Sequence, residues 1–204
     1  VFPNFSGTRA FVKLLEGGRF QAMTGEGECG QGGDTSIAMT VSEELGVPME
    51  DIVVIPVDTE ISPFGLGPFG SKVLTTEVAA VRLACLDAKR QLFEFVSKML
   101  DVKPEELEIG NRRVSVIGHP ERWVSLADVA NKAVYDTRNF SAIIGEGIDE
   151  RDTEYVALVG GIDLYGHETG STYWDNTVAE VEVDTETGKV KVLKSDEIRA
   201  IKAT

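Results

Sequence analysis

Residues 25–40 read GEGECGQGGDTSIAMT, and glycine takes five of the first nine positions. Glycines directly before an amphipathic segment suit one kind of chemistry, the close approach of a ligand to bare backbone. The N–H groups at a helix N-terminus have no partner within the helix and sit at the positive end of its dipole. Such an end can hold an anion without any basic side chain. A second run, GLGPFGS at 65–71, stands before a second helical segment. Two helix N-termini opened by glycines would converge on one extended, anionic ligand. The plainer alternative is a structural turn feeding a helix capped by Asp34 or Thr35. The second glycine turn favours the ligand.

Two familiar phosphate motifs fit poorly. Gly25-x-Gly27-x-x-Gly30 matches the dinucleotide fingerprint in letters. However, the preceding strand belongs to a tight hairpin, Glu26 and Glu28 would crowd a pyrophosphate, and Asp58 lies well past the expected spacing of roughly 20 residues. No Gly-Lys-Ser/Thr occurs, so the Walker A pattern fails. Cys29 reads as a small residue in a tight turn rather than a ligand. His119 and His167 share no ligand spacing with each other or with the two cysteines, Cys29 and Cys85. Phe64 and Phe69 flank the second glycine turn and could line a channel or fill a core. The acidic run EGIDERDTE at 146–154 reads as a solvated loop.

The elements that must position the glycines follow from periodicity. Residues 8–15 and 19–24 form a hairpin around Gly17-Gly18. Residues 35–45 form a helix stopped by Gly46 and Pro48. Residues 51–59 form a buried strand, with Pro56 marking an edge or bulge. A long helix runs from about Lys72 to Leu100, with Val78, Val81, Leu86, Leu92, Phe93 and Val96 on its apolar face. A second hairpin covers 106–118 with Gly110-Asn111 at its turn. A short helix covers 125–136, with Ser125 and Asp128 in the capping-box pattern. Residues 137–170 read as irregular. A third hairpin covers 176–193 around a Thr185–Gly188 turn. The order is an α+β pattern of mixed sheets made from hairpins, with one long and two shorter helices. Residues 1–204 are read as a single α+β domain that could divide near 102–105.

Composition sets bounds. The 204 residues suffice for a real core, and the net charge of −14 excludes the basic surface that nucleic acid requires. No apolar run approaches the roughly 18 residues of a membrane span. Two cysteines give no disulfide, zinc or iron–sulfur framework, so a cytoplasmic setting is expected. Val1 in place of Met fits a trimmed or excised piece.

The ordered set Glu28, Gly30-Gln31-Gly32, Thr35, Leu45-Gly46, Asp58-Thr59 and Gly70-Ser71-Lys72 resembles the molybdenum-cofactor-binding subunit of the xanthine oxidase/aldehyde oxidase family. The stretch VAEVEVDTETGKVKVL at 178–193 resembles a strand pair that the family places further downstream. The resemblance implies a site for a molybdenum cofactor, either molybdopterin or its cytosine dinucleotide form. Gly30, Gln31 and Gly32 would contact the cofactor near the metal, with the Gln31 amide placed to hydrogen-bond it. Gly70, Ser71 and Lys72 would hold the phosphate or nucleotide tail.

The family hydroxylates aldehydes or N-heteroaromatic rings, or reduces a hydroxybenzoyl thioester. Electrons pass through iron–sulfur and flavin subunits or domains, so an oligomeric assembly is expected. The family's catalytic glutamate lies in a Gly-Glu motif beyond the region this chain matches. Glu146 in GEG does not correspond to it, and no catalytic residue is assigned. The tail DEIRAIKAT departs from the family's usual continuation, and Lys72 stands where arginine is more usual. The chain therefore reads as about the first half of a cofactor subunit, inactive without the remaining half. The rival readings are a non-catalytic pterin- or nucleotide-binding module and an assembly module without a cofactor. The assembly reading would require Gln31 to point into the core and the two glycine turns to lie far apart.

Overall fold

The computed structural model describes residues 8–65, 67–68, 73–135, 142–149 and 172–202. β1 (Thr8–Leu14) and β2 (Phe20–Thr24) form the expected hairpin, with Ala10 paired to Thr24 and Leu14 to Phe20. Alternation along β1 turns Thr8, Ala10, Val12 and Leu14 into the interior. α1 (Gly33–Leu45) starts two residues earlier than its periodicity predicts and ends at Gly46, which is left-handed at φ 58.

β3 (Ile52–Val54) is shorter than the predicted 51–59 run and runs parallel to β2 at the sheet edge. It is half-buried rather than buried, because only Ile52 faces the core. Pro56 falls outside it, as an edge position permits.

A π-helical turn, Val73–Glu77, leads into α2 (Val78–Leu100). β4 (Leu107–Gly110), β5 (Arg113–Val116) and β6 (His119–Ser125) form a meander. The β4–β5 turn is centred on Asn111 and Arg112, both at positive φ, one residue later than predicted. β6 is not signalled by periodicity. It contains Pro120, is largely exposed, and survives as the edge strand of its sheet. α3 (Leu126–Tyr135) is capped as expected, with the Asp128 N–H donating to Ser125 Oγ at 3.0 Å.

β7 (Ile144–Asp149) lies within the stretch read as irregular and pairs antiparallel with β1, giving the strand order β3-β2-β1-β7. β8 (Thr172–Val183) and β9 (Val190–Lys202) form a separate two-stranded ribbon, longer than the predicted hairpin. Every residue from 177 to 195 on this ribbon is exposed, including the cross-strand pairs Val181–Val192 and Val183–Val190.

One close approach determines how α2 sits on the four-stranded sheet. A Cβ at Gly145 would lie 2.0 Å from the Ala84 carbonyl oxygen, and one at Gly147 would lie 2.0 Å from that of Ala80. The buried face of α2 is accordingly small where it meets β7, with Ala80, Ala84, Cys85 and Ala88. Leu86, predicted on the apolar face, is 40% exposed. It lies off the buried stripe, which runs through Val81, Cys85, Ala88, Leu92 and Val96 at helical spacing. Larger residues resume further along, with Leu92 and Val96 packed against Leu107, Val114 and Leu126 in one continuous cluster.

Gly147→Ala is expected to destabilise the fold by about 3 kcal/mol or more, because the obstacle is backbone and cannot rotate away. Gly17→Ala, with open space around it, should stay within about 0.5 kcal/mol of wild type. Urea unfolding of both variants checks the contrast.

Candidate cofactor-binding site

The two glycine runs meet. A Cβ on Gly65 would lie 2.0 Å from the Gly25 carbonyl oxygen, and one on Gly25 would lie 2.3 Å from that of Pro63. Glycine is required at both positions because the two loops touch backbone to backbone. The first loop and the turn before α2 also share one buried polar network. The Thr8 hydroxyl lies 3.3 Å from Glu26 Oε1 in the first loop and 3.2 Å from Thr76 Oγ1 in the turn before α2. The Thr24 hydroxyl donates to Glu77, the last residue of that turn. Thr8, Thr24, Glu26, Thr76 and Glu77 are all buried. Sequence analysis missed this network. Its one signal is threonine at the inward positions of β1 and β2, where alternation calls for an apolar residue.

The loop above the network is exposed from Glu28 to Gly32. Gly30 (φ 103) and Gly32 (φ 80) take the left-handed half of backbone space, which explains glycine at both. Among the described residues nothing lies within 4 Å of where a Cβ would stand at Gly27, Gly30 or Gly32, which leaves this backbone surface open to a flat group. The Gln31 side chain is held across the loop. Its Nε2 donates to the Gly27 carbonyl at 3.1 Å, and its Oε1 accepts the Cys29 N–H at 2.7 Å. An amide has two N–H groups and two acceptor lone pairs, so one of each remains at the exposed face.

The N-terminus of α1 is not open, contrary to the sequence reading. Glu28 Oε1 accepts the N–H groups of Gly30 at 2.6 Å and Gly32 at 3.1 Å, and Oε2 accepts that of Asp34 at 3.1 Å. Neither Asp34 nor Thr35 caps the helix. The cap is Glu28, reaching back from four residues before Gly32, with no side-chain cap at Gly32 itself. The Asp34 N–H, helped by those of Gly30, Gly32 and Gly33, holds the Glu28 carboxyl below its ordinary range against a smaller opposing effect of desolvation. Partial burial and the Glu28 charge push Asp34 the other way.

Of the predicted site residues, Gly30, Gln31 and Gly32 lie together on this exposed turn. Gly70, Ser71 and Lys72 lie outside the described residues, as do Phe69 and His167. Phe64 is 77% exposed and lines a cavity of about 400 Å³ with Phe11, Ile61 and Ile148. Glu146 sits on the outer face of β7, 3.1 Å from Arg9. Among the described residues no group of three or more His, Cys, Asp or Glu could hold a metal ion. No described helix is long and apolar enough to cross a membrane.

The α+β fold of this chain has counterparts among solved structures. Over 94% of its length the chain matches 22% of the Cu,Mo-CO dehydrogenase chain, with a TM-score of 0.71 and 24% identity. Over 95% it matches 23% of quinoline 2-oxidoreductase from Pseudomonas putida 86, with a TM-score of 0.71 and 18% identity. The fold is that of a segment of the molybdenum hydroxylases. The chain belongs to the molybdopterin cofactor-binding domain family, whose profile matches residues 2–201.

Similar proteins include the carbon monoxide dehydrogenase large chain of Afipia carboxidovorans, 31% identical over 59% of this chain and 15% of that protein. The 6-hydroxypseudooxynicotine dehydrogenase complex subunit gamma of Paenarthrobacter nicotinovorans is 28% identical over 90% of this chain and 21% of its own length. A putative xanthine dehydrogenase molybdenum-binding subunit of Escherichia coli is 32% identical over 62% of this chain and 17% of its own length. The chain thus spans about a fifth of the relatives it matches.

Two outcomes follow. The Glu28 pKa is lower in the folded protein than the ordinary 4.5, so its contribution is complete above that value. The contribution is lost as pH falls through the lower, folded value. Amide exchange at Gly30, Gly32 and Asp34, corrected for intrinsic rates, should therefore lose protection in that acidic window, and Glu28→Gln should abolish the step. Cys29 is exposed, whereas burial pushes the Cys85 thiol up to about 12. A thiol reagent should label the native protein once, at Cys29, and the unfolded protein twice, as read by mass spectrometry.

Proposed function

We propose that this chain forms one wall of the molybdenum-cofactor site in an oxidoreductase of the xanthine dehydrogenase, aldehyde oxidase or hydroxybenzoyl-CoA reductase type. The observation that carries the reading is the exposed turn Gly27–Gly32, where open glycine backbone surrounds the Gln31 amide, fixed by two hydrogen bonds of its own. That surface fits a flat ligand rich in donors and acceptors. The contact between the glycine loops at Gly25 and Gly65 supports a shared ligand, and the exposure of Gln31 argues against a purely structural loop.

The cofactor, when bound, supplies the two-electron chemistry of the reaction. Gln31 orients it, the glycines admit it, and the buried Thr8–Glu26–Thr76 network keeps the two loops in register. Gly70, Ser71 and Lys72 hold its phosphate or nucleotide tail, and the cytosine dinucleotide form is the longer ligand that two loops would suit. The remaining polypeptide of the molybdenum subunit supplies the general base, and iron–sulfur and flavin partners carry electrons away in a hydroxylation or deliver them in a reduction. The reaction is hydroxylation of an aldehyde or N-heteroaromatic ring, or reduction of an aromatic thioester. The setting is cytoplasmic.

The test is cofactor content of the assembled complex, with molybdenum measured by elemental analysis and pterin by its fluorescent oxidation product. Gln31→Ala, which removes two ligand hydrogen bonds, should lower pterin occupancy at limiting cofactor by roughly tenfold. Unchanged occupancy would remove Gln31 from the site. The chain alone should show no turnover with a substrate panel and an electron acceptor.

A further inference from the structure

We infer that Glu28 is a built-in anion that closes the N-terminus of α1 to phosphate and thereby fixes which part of the ligand this loop accepts. The inference rests on the reading of the loop as a cofactor contact. A carboxylate has about four lone-pair sites. Three are matched by the N–H groups of Gly30, Gly32 and Asp34. These are the donors that a phosphate at this helix end would need. They are spoken for by a side chain that never leaves the chain and so acts at a high effective concentration.

Charge sharpens the exclusion. Asp34 stands in the first turn of the same helix, so an incoming phosphate would meet two carboxylates rather than a bare positive end. A lysine or arginine could offset them, but the loop from Glu26 to Asp34 contains neither.

What the loop offers a neutral ligand includes one N–H and one lone pair of the Gln31 amide, beside the open faces of Gly27, Gly30 and Gly32. Glu28 is therefore a specificity-determining and positioning residue. It rejects the anionic part of a ligand and holds the turn on which Gln31 presents its amide to the neutral, hydrogen-bonding part. The anionic part must be received elsewhere.

The experiment is a titration of the ¹⁵N-labelled chain with inorganic phosphate at neutral pH, in wild type, Glu28→Ala and Glu28→Gln. Wild type should show no saturable shifts at the Gly30, Gly32 and Asp34 amides. Glu28→Ala should show them, with phosphate binding at least roughly tenfold tighter than in wild type. Glu28→Gln keeps the shape but loses the charge and one acceptor, and should fall between the two. The Gln31 side-chain amide signals supply a second readout. They should be distinct and slowly exchanging in wild type and averaged in Glu28→Ala, while the amides of Val41 and Leu45 further along α1 stay unchanged.

Saturable phosphate binding at this turn in wild type would overturn the inference. So would its absence from both variants while α1 remains folded. None of these readouts involves cofactor. A failure of the Gln31 occupancy test would therefore leave the phosphate result standing, and the reverse also holds.

Discussion

The structure depends on how closely α2 lies against β7. Two glycines on the strand and three alanines on the helix bring the backbones together where any side chain on the strand would collide with a helix carbonyl. That contact fixes the height of α2 above the sheet. The turn at its start, with Thr76 and Glu77, is thereby brought against Thr8 and Thr24 at the ends of β1 and β2. The first glycine loop grows directly from β2 through Glu26 and joins the same buried network. A packing constraint in the middle of the domain is thus transmitted to the place where two loops meet. The network carries little slack, because buried hydroxyls and carboxylates are costly to leave unsatisfied.

The exposed loop shows the opposite economy. Little protein is packed on it, and its conformation is held by two of its own side chains. Glu28 gathers backbone N–H groups, and Gln31 ties the turn from Gly27 to Cys29. A surface of this kind is ordered before any ligand arrives, so less conformational entropy is lost on binding.

Much of this was legible in the sequence. Strand-like runs around Gly17-Gly18 mark β1 and β2, and Gly46 with Pro48 stops α1 where the structure stops it. The GQG run reads as a turn before a helix, and the structure has it on an exposed loop before α1. What escaped was governed by contacts that no local pattern encodes. The stretch IGEGID reads as a loop because of its glycines, yet those glycines are what allow it to be a strand beneath α2. Leu86 reads as core by its apolar type, but it stands out of phase with the buried stripe through Val81, Cys85, Ala88 and Leu92. β6 has no apolar alternation, and its backbone bonds to β5 alone define it. The Glu28 cap was invisible to the usual rule, which looks for a short polar side chain at the helix boundary itself.

The pairing of β1 with β7 has a consequence for how the chain comes together. Thr8 lies beside Asp149 and Lys13 beside Ile144, so one edge of the main sheet closes between opposite ends of a long stretch of sequence. Contacts of such high order are slow to form, because the intervening chain must be ordered before they stabilise anything. During synthesis the hairpin, α1 and α2 emerge first, and the alanine face of α2 waits uncovered until β7 has left the ribosome. The last strand added to this sheet is also the one that seats the helix, so the loops at the top acquire their fixed geometry only when assembly is nearly done.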